Sequence, residues 1–506
     1  MSMINTKIFA INCLVIILLL GSCNNETEKY KHNSNAPEQS TQVLTKRQWI
    51  EDFEELYSYL KTNHRNLYHK TPPSNFERLF VQIKKDIPGL SDYEIIVQFA
   101  RFVALVNDGH TRLTLPLREG LGLGQAHSKT PLPVDTSLVF HHLPIEFYWF
   151  DDGLYINKAI SSYRHLIGKK VIQINDIPIN EALERTRSIS HFDNEYGYKL
   201  VGPSRLSIFE VLKALKISDD ENEVTILIEF RQSNEKITIK PLNRFSKQIF
   251  FENVKEIPII SFQRNKEYYW YQYLANQKAI YLQVNQMNDA KNGPDLIKFI
   301  GQLNNFINTN EVNRIILDLR NNFGGDNTYS LPIANLIIKN PNLNKIGSFY
   351  TLIGRKTFSA AQYLINDLSK WTNVIFVGEP TGASPNSYGD SRKKRLKNSN
   401  LTVRISSIYW RDWTSNENRK WIAPDIPVEN IASNFFQNKD EALKVCLNFK
   451  TSNKLVDTYN RLYETGGMET AKRLYLRVAL DWERTDIEVK SIENKLIQWM
   501  SENEIE

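Results

Sequence analysis

Cysteine is almost missing: the 506 residues hold three, at positions 13, 23 and 446. Cys13 lies inside an apolar leader, and Cys446 within "ALKVCLNF" reads as a buried small hydrophobe. An internal disulfide framework is therefore excluded. The nine histidines are scattered, with no His/Cys cluster at zinc-ligand spacing, so no metal site is expected. No Walker lysine motif occurs. "GLGLG" (120–124) fails the dinucleotide pattern because Gln125 stands where the third glycine belongs. Charge of one sign is also in short supply: 63 Lys and Arg against 57 Asp and Glu leave +6. The one dense basic run, "SRKKRLKNSN" (391–400), comes with no DNA- or RNA-binding motif. It reads as a solvated hairpin loop, and no nucleic-acid partner is expected. What is plentiful is apolar matter: 41% hydrophobic and 11% aromatic residues, enough to fill the cores of roughly three ordinary domains.

Residues 1–22 have the form of a secretory signal: an early lysine, an apolar run from Ile8 to Leu20, then small residues. The run is too short to span a membrane. Its end, "LGSC", resembles a bacterial lipobox, which implies cleavage before Cys23 and a diacylglyceryl thioether on its sulfur. Acyl chains bury CH₂ groups worth about 0.8 kcal/mol each, so several chains hold firmly. Residues 23–45 are polar and read as a flexible tether. The expected location is a bacterial cell envelope, lipid-anchored on the periplasmic or surface side of a membrane, away from ATP and NAD.

The rest is α/β and multi-domain. Residues 46–118 read as a helical bundle, with Thr45 and Ser91 as caps, ending in "DGHTRLTLP". Residues 140–242 read as hairpins around turn signals and resemble a PDZ-like module through "KVIQINDIP", whose kind binds peptide ends at a sheet edge. Residues 255–432 alternate strand and helix, which predicts right-handed crossovers and a largely parallel sheet. Residues 436–506 read as a helical extension with a turn at "YETGGMETAKRLY".

Open α/β sheets place their sites at the carboxyl ends of strands. Three segments end there. "IILDLRNNFGGD" offers Gly324 and Gly325, whose amides can approach a ligand without side chains in the way. "KTFSAAQYLINDL" puts Ser359 at an N-cap before Ala361, Leu364, Ile365 and Leu368, one face of a helix. There the helix dipole favours developing negative charge, and the Ala360 amide can join the oxyanion donors. "NVIFVGEPTGASPNS" supplies the neighbouring loop.

"DLRNNFGGD", "FSAAQ" and "VGEPTGA", in this order, resemble the C-terminal-processing (tail-specific) serine peptidases, with their D-x-R-x-N-x-G-G, S-A-x-E and G-x-x-T-x-G patterns. The resemblance implies a ClpP/crotonase-like core, with Ser359 in the nucleophile's place and no cofactor. The best-known branch activates its serine with a lysine, but Ser384 stands about where that lysine belongs, and Gln362 replaces the usual glutamate. Lys356 is a poor substitute, since it lies across the turn and a lysine base needs burial. "DGHT" resembles a second branch, that of the tricorn protease core, in which a histidine from the amino-terminal segment is the base. That implies His110 as general base, with activity falling below about pH 6. The same branch suggests Glu417, in "SNENRKWIAPD", as the group orienting His110, directly or through a second hydroxyl, with Asp108 as rival; Asp425 reads as a turn former.

The chain therefore reads as a lipid-anchored serine endopeptidase acting on proteins or peptides. A homo-oligomer is compatible with it. The rival is an inactive binding protein on the same scaffold, holding a lipophilic ligand or a peptide, since the family also resembles interphotoreceptor retinoid-binding modules. A third reading is an envelope assembly scaffold.

Overall fold

The structure, a computed structural model, describes residues 43–117, 136–230, 233–243, 260–264, 266–414, 416–449, 455–479 and 486–502. The leader, Cys23, most of the tether and "GLGLG" lie outside them. Val43 onward forms one compact unit. The last residues of the expected tether belong to it: Leu44 is buried, and Thr45 exchanges a capping box with Gln48 at the start of helix Lys46–Asn63.

At the centre is a six-stranded sheet in the order Ile426–Pro427, Ile375–Gly378, Phe349–Ile353, Arg314–Asp318, Ala279–Val284, Tyr269–Leu274. The first five are parallel and the last is antiparallel to its neighbour. A parallel sheet must be covered on both faces, so its strands read as unbroken apolar runs. Every residue of Ala279–Val284, Phe349–Ile353 and Ile375–Gly378 is buried. Helices Leu296–Thr309, Ser330–Ile338 and Ala360–Trp371 pack on one face through Leu303, Ile333, Leu364 and Leu368.

The carboxyl-terminal helices cover the other face. Tyr281, Ile316, Tyr350, Leu352 and Val377 share a core with Cys446, Tyr459, Leu462, Ile492 and Trp499. The attachment is also polar: Arg314 donates to the carbonyls of Cys446, Leu447 and Phe449, and Arg320 bridges Asp318 and Asp440. The helix Leu455–Ala479 breaks at Gly467, where the glycine-rich turn was read.

The amino-terminal helices Lys46–Asn63, Pro73–Asp86 and Asp92–Ala104 share a core built on Trp49, Phe53, Phe99 and Phe102. A three-stranded antiparallel sheet closes it. The short strand Arg112–Leu113 pairs with Thr402–Trp410, which pairs with Ser387–Arg395, and Leu113, Val403 and Ile405 enter the same core. The basic run fills the end of strand Ser387–Arg395 and the turn after it; Arg392, Lys393, Arg395 and Lys397 are exposed, while the turn at Asn398–Ser399 is held by the bundle. Asp52 is buried and accepts the amides of Asn398 at 2.9 Å and Ser399 at 2.7 Å. Between these parts lie the hairpin Ile145–Phe150/Gly153–Ala159 and a four-stranded sheet built on Val171–Ile174, Val224–Phe230 and Ser233–Ile239.

Leu352→Ala should lower the free energy of unfolding by about 2–5 kcal/mol in chemical denaturation, because the carboxyl-terminal layer cannot collapse onto the missing volume. Ile408→Ala, at a side chain 42% exposed, should stay within about 0.5 kcal/mol of the parent. Equal losses would mean that the second layer is not packed on the sheet.

Candidate active site

Ser359 follows strand Phe349–Ile353 and a tight turn, and it precedes helix Ala360–Trp371. Its backbone sits at φ 56° and ψ −127°, a conformation that costs a residue with a Cβ on the order of 1–3 kcal/mol. The turn before it is fastened at several points. Thr357 Oγ1 donates to the Leu319 carbonyl and accepts from the Gly354 amide, both at 3.1 Å, and the Phe358 amide donates to the Asn322 carbonyl at 3.2 Å. Although Ser359 occupies the N-cap position, its hydroxyl caps nothing. Instead its Oγ lies 3.0 Å from Nε2 of His110, 249 residues away in the chain.

His110 arrives on the loop after helix Asp92–Ala104. Asp108 shapes that loop. Its Oδ1 accepts the amides of His110 at 2.8 Å and Thr111 at 2.6 Å and the Ser406 hydroxyl at 3.0 Å, while Oδ2 meets Nε2 of His64 at 2.8 Å. His64 Nδ1 accepts the Asn66 amide, so the ring proton sits on Nε2 and donates to Asp108. Burial pushes the Asp108 carboxyl up, but the bonds from His64 and Thr111 outweigh it and hold the group well below the usual range. Asp193 Oδ1 accepts the Gly109 amide at 2.7 Å; burial, with the charge of Asp108, raises its carboxyl to about 6. The Phe358 ring stacks on His110 at 4.5 Å, and position 109 must be glycine because a Cβ there would meet that ring at 2.7 Å.

Burial lowers the His110 imidazole to about 4, helped by the charge of Arg112 and opposed by Asp108. Its Nδ1 is buried without a complete hydrogen bond, although the Tyr388 carbonyl is near enough to favour the protonated ring. Among the described residues no carboxylate is hydrogen-bonded to the ring. Glu417 is not bonded to His110: both its oxygens are taken by Arg419, through the amide at 2.8 Å and the guanidinium at 2.6 to 3.1 Å. An arginine two residues away claims that glutamate locally. Asp108, the rival, binds the histidine's amide rather than its ring.

The glycine turn lies against the serine. A Cβ on Gly324, at φ 102°, would fall 2.7 Å from both the Ser359 Cβ and the Ala360 amide nitrogen. The Gly324 amide itself is not available as an oxyanion donor, because it is bonded to Asn322 Oδ1 at 2.8 Å. The amides of Gly325 and Ala360 make no hydrogen bond among the described residues. Asn322 is fully buried and also donates to the Val284 carbonyl. It was legible as the Asn of D-x-R-x-N-x-G-G; His64, Asp193 and Phe358 carried no signal of their own. Lys356 is desolvated, its ammonium lowered to about 8, but the charges it feels are those of Lys158, Glu146 and Arg355. Gln362 bonds Asn366, Ser384 donates to the Lys420 carbonyl, and Asp425 accepts the Phe376 amide.

Residues 278–347 match the model of peptidase family S41. The fold is that of mature CPAF. A structure of that protein complexed with lactacystin has a TM-score of 0.55 and 10% identity, covering 79% of this chain and 98% of that one. Another, of mature CPAF, has 0.55 and 11%, covering 81% and 99%. A photosystem II D1 C-terminal processing protease is similar at a TM-score of 0.36 and 10% identity, over 79% of this chain and 99% of its own. No curated protein matches by sequence. The motif reading is supported over residues 278–347, which match peptidase family S41, and the fold is the one found in mature CPAF.

Asp108→Ala should cost about 3–5 kcal/mol of stability, since it leaves His64 and two amides unpaired in the interior. The folded carboxyl titrates below its unfolded value, so this stabilisation is in full force above about pH 4 and fades as acid titrates it. Denaturation at pH 7 and below pH 4 checks both; a variant as stable as the parent at pH 7 would refute the assignment.

Proposed function

We propose that this protein is a serine endopeptidase of the cell envelope, held to a membrane by lipid on Cys23, in which Ser359 is the nucleophile and His110 its general base. The contact that carries the reading is the 3.0 Å approach of His110 Nε2 to Ser359 Oγ. A hydroxyl is a feeble nucleophile without an adjacent base, and this distance allows direct proton transfer. The strained backbone at Ser359 and its unused capping hydroxyl point the same way, since strain of this kind persists where the surroundings enforce it.

Neutral His110 takes the hydroxyl proton as Oγ attacks a peptide carbonyl. The carbonyl oxygen, now negative, meets the unbonded amides of Gly325 and Ala360 and the positive end of helix Ala360–Trp371. The tetrahedral intermediate collapses as His110 returns the proton to the leaving amine. Water, deprotonated by the same ring, then releases the acyl group. The base works without a carboxylate partner: Asp108 and Phe358 position it through the backbone and by stacking. The sheet at 140–242 serves as a PDZ-like module for the tail of the substrate.

A fluorophosphonate probe should label the full chain and fail to label Ser359→Ala, with peptide turnover reduced by several orders of magnitude. Intact, folded protein that takes no label would favour a binding protein instead. Because His110 must be neutral to accept a proton and its value is lowered to about 4, activity should hold from pH 8 to below pH 5 and fall with a midpoint near 4. An unperturbed histidine would instead give a limb near pH 6. A midpoint at 6 that moves in Asp193→Asn would assign the titration to Asp193 rather than to the base. Cys23→Ala should move the protein from the detergent phase to the aqueous phase on phase separation.

A further inference from the structure

To accept the Ser359 proton, Nε2 of His110 must be bare, so the neutral ring carries its own proton on Nδ1. That nitrogen is buried and makes no complete hydrogen bond among the described residues. A buried donor left alone is costly, and a base needs a third group to hold its ring toward the nucleophile. Glu417 is held by Arg419, and Asp108 spends its oxygens on the loop amides, the Ser406 hydroxyl and His64.

The group that does approach Nδ1 is the main-chain carbonyl of Tyr388, in strand Ser387–Arg395. The strand is irregular there. Gly389 stands opposite Ile408 and Ser391 opposite Ser406, but Asp390 between them has φ 49°, in the left-handed region that few residues with a Cβ enter. The neighbouring strand Thr402–Trp410 pins this kink. Ser407 Oγ donates to the Asp390 carbonyl at 2.7 Å, and Trp410 Nε1 donates to Asp390 Oδ2 at 2.9 Å. Glycine at 389 leaves room for the indole, since a Cβ there would meet the Trp410 ring at 3.2 Å.

His110 is met from both sides of the kink. Beyond it, Ser391 Oγ donates to the His110 carbonyl at 3.1 Å. Before it, the Tyr388 carbonyl faces the ring, and the Tyr388 side chain is packed against His69 at 4.3 Å and Tyr409 at 4.7 Å. In a regular strand carbonyls lie along the sheet and side chains stand out of it, so one residue receives both only where the strand bends. Strain of this kind persists where its surroundings enforce it, and it gathers at active sites.

We propose that the third member of the catalytic arrangement is the Tyr388 carbonyl, accepting the Nδ1 proton of His110, and that Asp390 is the positioning residue whose left-handed backbone aims it. The part given to His110 rests on the peptidase reading. A neutral carbonyl fixes the tautomer and the direction of the ring without adding a charge. Such bonds are often long in a free enzyme and tighten when substrate binds.

Asp390→Val, whose β-branched side chain fits φ 49° badly, should lower kcat tenfold or more with KM within twofold of the parent. Asp390→Gly and Asp390→Asn, which tolerate that region, should stay within threefold in kcat. Asn also lacks the charge that Asp390 places on the ring, so an Asn variant as slow as Val would assign the effect to charge and overturn the proposal. A tenfold loss of kcat in Glu417→Gln would return the orienting role to that glutamate and overturn it too. Magnetic resonance of isotope-labelled histidine in the parent chain reads the ring directly, even if the Val variant does not fold. At pH 7 His110 should be the Nδ1–H tautomer, with that proton shifted downfield and slow to exchange. A ring protonated on Nε2, or an Nδ1 proton in fast exchange, overturns the carbonyl's role whatever the activity. A bonded Nδ1 proton in folded protein that cleaves no peptide keeps the bond and sinks the peptidase.

Discussion

One buried carboxylate ties the site together. Asp108 receives a histidine proton from the first helix, two amides from the loop that carries His110, and a hydroxyl from the strand Thr402–Trp410. These four groups come from the amino-terminal bundle and from the hairpin that follows the core strands. Hairpin and bundle are joined a second time at Asp52, which grips the hairpin tip. Charge-assisted bonds in a dry interior are short-ranged and strong, so the histidine loop cannot drift relative to the sheet beneath it. The 3.0 Å contact with Ser359 exists because this frame is rigid.

The same dryness sets the electrostatics. Burial favours the neutral imidazole of His110. The absence of a hydrogen-bonded carboxylate on Nδ1 is balanced by stacking on Phe358 and by the Asx-type turn at Asp108, which fix the ring's place without charging it.

The carboxyl-terminal helices, opaque in sequence, turn out to be a layer of the core. A parallel sheet exposes two apolar faces, and the helices between its strands covered only one. The apolar residues on the other face, Tyr350 and Leu352 among them, required a partner from elsewhere in the chain. Arg314, at the start of strand Arg314–Asp318, and Arg320, two residues past its end, fasten that partner by its carbonyls and by Asp440.

Local chemistry was enough to read the capped amino-terminal helices, the parallel strands and the glycine turn at 324–325, because each depends on residues within a few positions of one another. It was enough, with the motifs, to mark Ser359 and His110. What it could not decide were distances between residues far apart in the chain. Glu417 is held by Arg419, the Gly324 amide is bonded to Asn322, and the His110 imidazole is lowered to about 4, chiefly by burial. Hydrogen-bond partners and desolvation are properties of the packed chain, fixed by which surfaces meet, and a motif names the residues without saying which of them water still reaches.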